Sequence, residues 1–222
     1  THCRLDLHYG PGTCSFVVPA GQETIRAAIG QDFAAHAVRL HKGEHLSAAH
    51  LALNPLGQVP VLVAEGRPLT QVLAIADYLD RRFPQVGLRP TDPWARAQAM
   101  SQLAFMNNTA HPTFAHVFKP HLFAEDEAVH AELKRFNAKR FRDHLERIQG
   151  WVAQATPFWF GERPSFHDAY ALTLLRWGGY AGIDPQGLPA LWAHAQRVAA
   201  SAPVAAAMAR EKLELNVYRA AA

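Results

Sequence analysis

Cysteine is scarce: the 222 residues hold two, Cys3 and Cys14. A small secreted fold stapled by disulfides carries more, in even number. A reducing compartment is therefore expected, and with it a cytoplasmic location. The pattern puts Cys3 and Cys14 at opposite ends of one strand, so no bridge between them is expected. Long apolar runs are missing too. No stretch of about 18 apolar residues occurs, so no membrane span is expected. The opening Thr1-His2-Cys3-Arg4 leads straight into a strand-like pattern, with no signal peptide in view. There is no internal repeat and no low-complexity tract. Charge is modest, 18% of residues with a formal net +3. The densest basic stretch is Lys134-Arg135, then Lys139-Arg140 with Arg142; it reads as the wet face of a helix, so nucleic acid is not an expected partner.

Histidine, by contrast, is plentiful at thirteen. His41 and His45 flank Gly43 with no third ligand nearby in sequence. The spacing of His111, His116 and His121 puts them on different helix faces. A zinc site needs three or four converging ligands. No metal is expected, and the histidines read as scattered surface residues. The apolar share, 49%, is ample for burial, and the length suits two domains of ordinary size.

Local pattern supplies the elements. Leu5, Leu7 and Tyr9 alternate with Asp6 and His8, which predicts a strand. Gly10-Pro11-Gly12 breaks it, and a helix follows within 15–29, ended by Gly30. The stretch 37–40 reads as a second strand. Asn54-Pro55-Leu56-Gly57 is a turn. Val59-Pro60-Val61-Leu62-Val63 is a short strand, and Glu65-Gly66 turns it into a hairpin through Pro68-Leu69. From Thr70 the period becomes helical, with Val72, Ile75, Ala76 and Leu79 on one face. The proline-rich 84–92 is a linker, so 1–83 and 93–222 are the expected domains. Everything after the linker is helical: a long helix bent near Pro112, an amphipathic stripe Phe141, Leu145, Ile148 and Val152, a helix opened by Ser165, and two shorter helices at 188–200 and 203–213. The class is α/β followed by all-α.

Four motifs then carry a resemblance. Asn54-Pro55-Leu56-Gly57-Gln58-Val59-Pro60-Val61-Leu62 is similar to the N-P-x-G-x-V-P-x-L stretch of glutathione S-transferases. Tyr9-Gly10-Pro11-Gly12-Thr13-Cys14-Ser15 resembles the Y-x-P-G-x-C-S opening of their bacterial beta class. Leu69-Thr70-Gln71-Val72-Leu73-Ala74-Ile75-Ala76-Asp77-Tyr78-Leu79 resembles L-T-[EQ]-S-x-A-I-x-x-Y-L. Ser165-Phe166-His167-Asp168 matches the S-x-x-D capping box of the second domain's core helix, a folding signal without chemistry. A weaker match surrounds His111, with Pro112 where the beta class has a lysine.

The resemblance implies a thioredoxin-like amino-terminal domain, an all-helical carboxy-terminal domain, and glutathione as co-substrate. It implies a cis Val59–Pro60 bond, with the Val59 backbone pairing the cysteinyl backbone of glutathione. It implies that Gln71 and the start of the following helix hold the γ-glutamyl end. Cys14 would sit at a helix amino end, where a thiolate is favoured, and would contact or form a mixed disulfide with the glutathione sulfur. Tyr9 and Ser15 are candidate assistants. His111 is a candidate donor to the thiolate, and Lys42 a candidate partner for the glycyl carboxylate. Phe105, Phe114 and Phe118 are candidate walls for a small hydrophobic electrophile or disulfide, and a homodimer is implied. Two departures matter. Val72 replaces the family serine and removes a hydroxyl donor, worth about 1.5–3 kcal/mol toward a charged group, or roughly one to two powers of ten in affinity. The stretch between Cys14 and Gly30 is about four residues longer than the pattern, roughly one helical turn. Two other readings stay open: a non-catalytic binding or scaffold protein of the same fold, and a glutathione-dependent thiol–disulfide oxidoreductase using Cys14.

Overall fold

The structure is a computed structural model that describes residues 5–9 and 33–220. The chain divides into two compact units, Thr1–Gly87 with Ser201–Leu213, and Leu88–Ala200 with Glu214–Ala222.

The first unit is built on a mixed four-stranded sheet ordered β2-β1-β3-β4, with β1 at Leu5–Tyr9, β2 at Phe33–Ala37, β3 at Val61–Ala64 and β4 at Arg67–Thr70. Strand β1 runs parallel to β2 and antiparallel to β3, and β3 runs antiparallel to β4. Residues paired across a ladder share a face. The register Leu7↔Leu62↔Leu69 therefore sets three leucines on one side, where Leu7 and Leu62 are buried. The other side carries Asp6, His8 and His36 together with the fully buried Val61. The second strand corrects the expectation of 37–40. Its ladder with β1 ends at Tyr9↔Ala37, and Leu40–Lys42 turns as a 3-10 segment instead. The hairpin turn is as expected. Glu65 and Gly66 both take positive φ, 52° and 79°, which matches the twist of the flanking strands.

Among the described residues, two helices belong to the same chain segment. Helix α1, Ala48–Leu53, is capped by Ser47, whose Oγ accepts the His50 N–H at 3.3 Å. Helix α2, Val72–Arg82, buries Ile75, Ala76 and Leu79, the stripe seen in sequence.

The second unit begins with α3, Pro93–Phe105, capped by Asp92 through the Ala95 N–H at 2.8 Å. The expected bend near Pro112 takes a specific form. A π turn, Met106–Ala110, joins α3 to α4, His111–Phe118. Pro112 has no N–H to return to the preceding turn, and the path widens just before it. Helix α5, Glu127–Val152, buries Phe141, Leu145, Ile148 and Val152. Helix α6, Phe166–Tyr180, is buried from His167 to Gly178 and forms the axis of this unit. Around it, Phe114 stacks on Trp177 at 5.0 Å and lies 5.3 Å from Phe141, so Phe114 is core rather than wall. Each such aromatic or leucine adds about 1.5–3 kcal/mol by burial. Helix α7, Pro189–Ala200, packs along α6. Helix α8, Ala202–Glu211, groups with the first unit rather than with the helices that precede it in sequence.

Close approach explains one glycine. A Cβ on Gly179 would lie 2.6 Å from the Tyr218 backbone nitrogen and 2.8 Å from Val217 Cγ2. The segment beyond Leu213 is anchored here, with Arg176 Nε donating to the Glu214 carbonyl at 2.6 Å. Gly179→Ala is expected to destabilise the fold by about 1–3 kcal/mol through overpacking. A urea midpoint equal to that of the parent chain would refute the close approach.

Candidate functional site

The ends of the sheet strands gather the sequence motifs of the first unit. Val59–Pro60 is a cis peptide, and the ladder starts two residues after Val59, with Val61 opposite both His8 and Thr70. That register brings three chain segments to one end of the sheet: the cis-proline turn, the end of β1, and the step from Thr70 into α2. Gln71 is the residue before α2. Its φ of 71° and ψ of 117° form a rare conformation for a side-chain-bearing residue, and its side chain makes no capping bond. Such an outlier persists only where the surroundings hold it, and it clusters at ligand sites. The first turn of α2 carries orphan N–H groups and the positive end of the helix dipole, but no acidic side chain. Val72 is its first residue and is half-buried, while Gln71 is exposed.

The turn before Val59 is heavily bonded. Asn54 Oδ1 accepts the Leu56 N–H at 3.1 Å, and the Asn54 carbonyl accepts the Gly57 N–H at 2.9 Å. Gly57 needs its positive φ of 61°, and a Cβ there would meet the His45 carbonyl at 3.2 Å. The Gln58 carbonyl accepts from Asn54 Nδ2 at 2.9 Å and from His50 Nε2 at 3.1 Å. Behind them, His8 lies edge-on to His50 at 6.3 Å and stacks on His36 at 4.6 Å, and His36 meets Asp6 at 3.1 Å. Burial chiefly, then the neighbouring His36 and His50, hold the His8 pKa below its usual value.

The other sequence candidates differ in what the structure describes of them. Cys14 and Ser15 lie outside the described residues, as does Cys3 and the helix expected in 15–29. Tyr9 is described through its backbone alone, the last residue of β1, opposite Ala37. Lys42 ends a 3-10 turn and is exposed. His111 belongs to the second unit. Its Nδ1 lies 2.8 Å from the Tyr170 hydroxyl, which donates to Asn107 Oδ1 at 3.1 Å. A phenol has one proton, so Nδ1–H must donate to Tyr170 and Nε2 carries the lone pair. The ring also packs against Trp177 at 5.0 Å. Burial lowers its pKa to about 4, so it is neutral at neutral pH, and burial likewise pushes the Tyr170 phenol up.

The histidines are not all surface residues, contrary to the sequence expectation. His50, His167 and His194 are buried. Of these, His50 belongs to the turn just described; a histidine one helical turn before Asn54 was the available signal. No group of three or more His, Cys, Asp or Glu among the described residues could hold a metal ion. Among the described residues no helix is long and apolar enough to cross a membrane.

Comparison with known proteins bears on this geometry. Residues 22–81 match the family model described as the glutathione S-transferase amino-terminal domain. A curated protein of Xanthomonas campestris pv. campestris, glutathione S-transferase GST-4.5, is 35% identical over 169 residues, 75% of this chain and 82% of its own length. A solved glutathione transferase homolog from Sulfitobacter, with bound glutathione, superposes with a TM-score of 0.83 at 27% identity, covering 95% of this chain and 99% of that one. The bacterial beta-class glutathione S-transferase of Sphingomonas chungbukensis matches with a TM-score of 0.76 at 28% identity, over 94% of this chain and 100% of its own. The thioredoxin-like sheet unit, the helical unit and these matches agree: this chain belongs to the glutathione S-transferase family.

Proposed function

We propose that the chain binds glutathione at the end of its sheet and transfers the glutathione thiolate to a small hydrophobic electrophile or exchanges it with a disulfide. The register Val61↔Thr70 carries this reading, because it sets the cis Val59–Pro60 turn beside the start of α2. Val59 offers a backbone N–H and C=O for the cysteinyl part of the tripeptide. Gln71 and the Val72 N–H receive the γ-glutamyl carboxylate at the positive end of α2, and Lys42 serves the glycyl carboxylate. In a conjugation step the thiol proton passes to solvent base, the thiolate sulfur forms a bond to carbon, and the leaving group departs with its electron pair. Cys14, assisted by Tyr9 and Ser15, faces the glutathione sulfur in this assignment. The neutral His111 has its Nδ1 engaged by the Tyr170 hydroxyl and its ring packed on Trp177; we assign it to packing. Two copies associate as a homodimer, the commonest symmetric assembly.

Calorimetry with glutathione near neutral pH tests the reading. Binding in the micromolar to low millimolar range is expected. Absence of binding at ~10 mM would leave a fold of this family used as a scaffold, the reading that the loss of the serine at Val72 favours. Val72→Ser is expected to tighten glutathione binding about tenfold by restoring a hydroxyl donor. Cys14→Ser separates the redox alternative: retained conjugation assigns Cys14 no thiol–disulfide role.

A further inference from the structure

We infer that His50 is a positioning residue that aims the Val59 N–H, with Asn54 as its co-worker. One peptide plane links the two groups. The Gln58 carbonyl and the Val59 N–H belong to the same rigid planar group, and in a trans peptide they point in opposite directions. Among the described residues the cis bonds are Val59–Pro60 and Thr156–Pro157, so the Gln58–Val59 peptide is trans. Whatever grips the Gln58 oxygen from inside therefore turns the Val59 N–H outward.

Two buried side chains grip it. Asn54 Nδ2 donates at 2.9 Å and His50 Nε2 at 3.1 Å, and both residues are at least 96% buried. A carbonyl only accepts, so Nε2 must carry the hydrogen. Both lone pairs of Gln58 are then engaged, and a doubly bonded carbonyl polarises its own amide, strengthening the N–H on the far side as a donor. The rest of the turn has other supports. Asn54 holds Leu56 and Gly57, and the Asn54 N–H returns to the His50 carbonyl at 2.9 Å. His50 adds none of these side-chain bonds to the turn; its ring bond goes to Gln58. Burying an imidazole here, with Nδ1 lacking a hydrogen-bond partner among the described residues, costs more than burying an apolar ring. A purely space-filling role would be served better by phenylalanine.

This inference rests on the assignment of the Val59 backbone to glutathione. It is tested on the full chain by glutathione affinity and by turnover of an activated aryl halide. His50→Phe keeps the ring and removes the donor. It is expected to weaken glutathione binding and raise its KM about five- to tenfold, with kcat at saturating glutathione and the KM of the halide within about twofold. His50→Gln, which restores an N–H donor, is expected to recover most of the lost affinity. Unchanged glutathione affinity in a folded His50→Phe chain overturns the inference. So does a fall in kcat and thermal stability without a change in glutathione KM, because that is packing. If His50→Phe does not fold, His50→Met, similar in bulk and donor-free, is compared with His50→Gln, and equal affinities overturn it. Should the parent chain itself bind no glutathione, the Val59 assignment fails instead. Parent binding with indifferent variants sinks only the role of His50.

Discussion

Asp168→Ala is expected to destabilise the protein by about 3–5 kcal/mol, the cost of breaking a buried charged network by removing one partner. The carboxylate is fully buried. It accepts the Trp159 N–H at 2.8 Å and both the N–H and the hydroxyl of Ser165 at 2.6 Å. His194 Nε2, also fully buried, lies 2.9 Å from it. Burial pushes the Asp168 pKa up, but His194, Ser165 and Trp159 outweigh that and hold it below the ordinary aspartate value. Alanine strands two backbone donors and an imidazole in an apolar interior, each worth about 1–3 kcal/mol when unpaired. It also removes the reciprocal half of the capping box that starts α6. Urea unfolding at neutral pH measures the loss, and a change under about 1 kcal/mol would mean that the network is peripheral to the fold. Asp168→Asn keeps one acceptor oxygen and is expected to fall between the parent and alanine.

Acid is expected to begin destabilising the protein near pH 6.5, above the range in which carboxylates titrate. Burial, as the largest cause, lowers the pKa of both His111 and His167 from 6.5 to about 4. His167 donates Nε2–H to the Ala99 carbonyl at 2.7 Å, so protonation would place a second hydrogen on its buried Nδ1. The sign follows from proton counts. Between pH 6.5 and 4 the unfolded chain binds protons that the native chain refuses, so stability falls as pH falls. Above 6.5 the two histidines contribute no pH dependence, and below 4 their effect levels off. The displacement from 6.5 to about 4 is worth up to roughly 3 kcal/mol per histidine. His8 and His144, both lowered chiefly by burial, act in the same direction, and the depressed Asp168 adds its loss at lower pH. Urea midpoints at pH 7, 6, 5 and 4 should descend steadily from about pH 6.5. A flat profile down to pH 4.5 would show that these rings are solvated. His111→Gln should make the slope shallower if the rest of the network holds.

Several elements were legible because their cause is local. The Glu65-Gly66 hairpin, the stripe of α5 and the box Ser165/Asp168 depend on residues a few positions apart, and each stands where the pattern put it. Strand β2 was not legible. Phe33–Ala37 is mostly alanine and carries little strand propensity of its own; it is a strand because β1 pairs with it. Pro112 marked a bend in the sequence but not its π form, and α8 reads as a member of the helical run until the first unit claims it.

The sequence by itself determined the family, through Asn54–Leu62 and the motifs that flank it, and it determined most element types, because propensity, capping and turn chemistry act within one or two turns of chain. Tertiary structure alone decided the roles of the histidines. His111 finds its partner 59 residues away in Tyr170, His167 reaches 68 residues to Ala99, and His8 meets His36 across a parallel ladder. The tautomer and charge of an imidazole are set by what it touches and by how much water is excluded, and neither is written in the residues beside it.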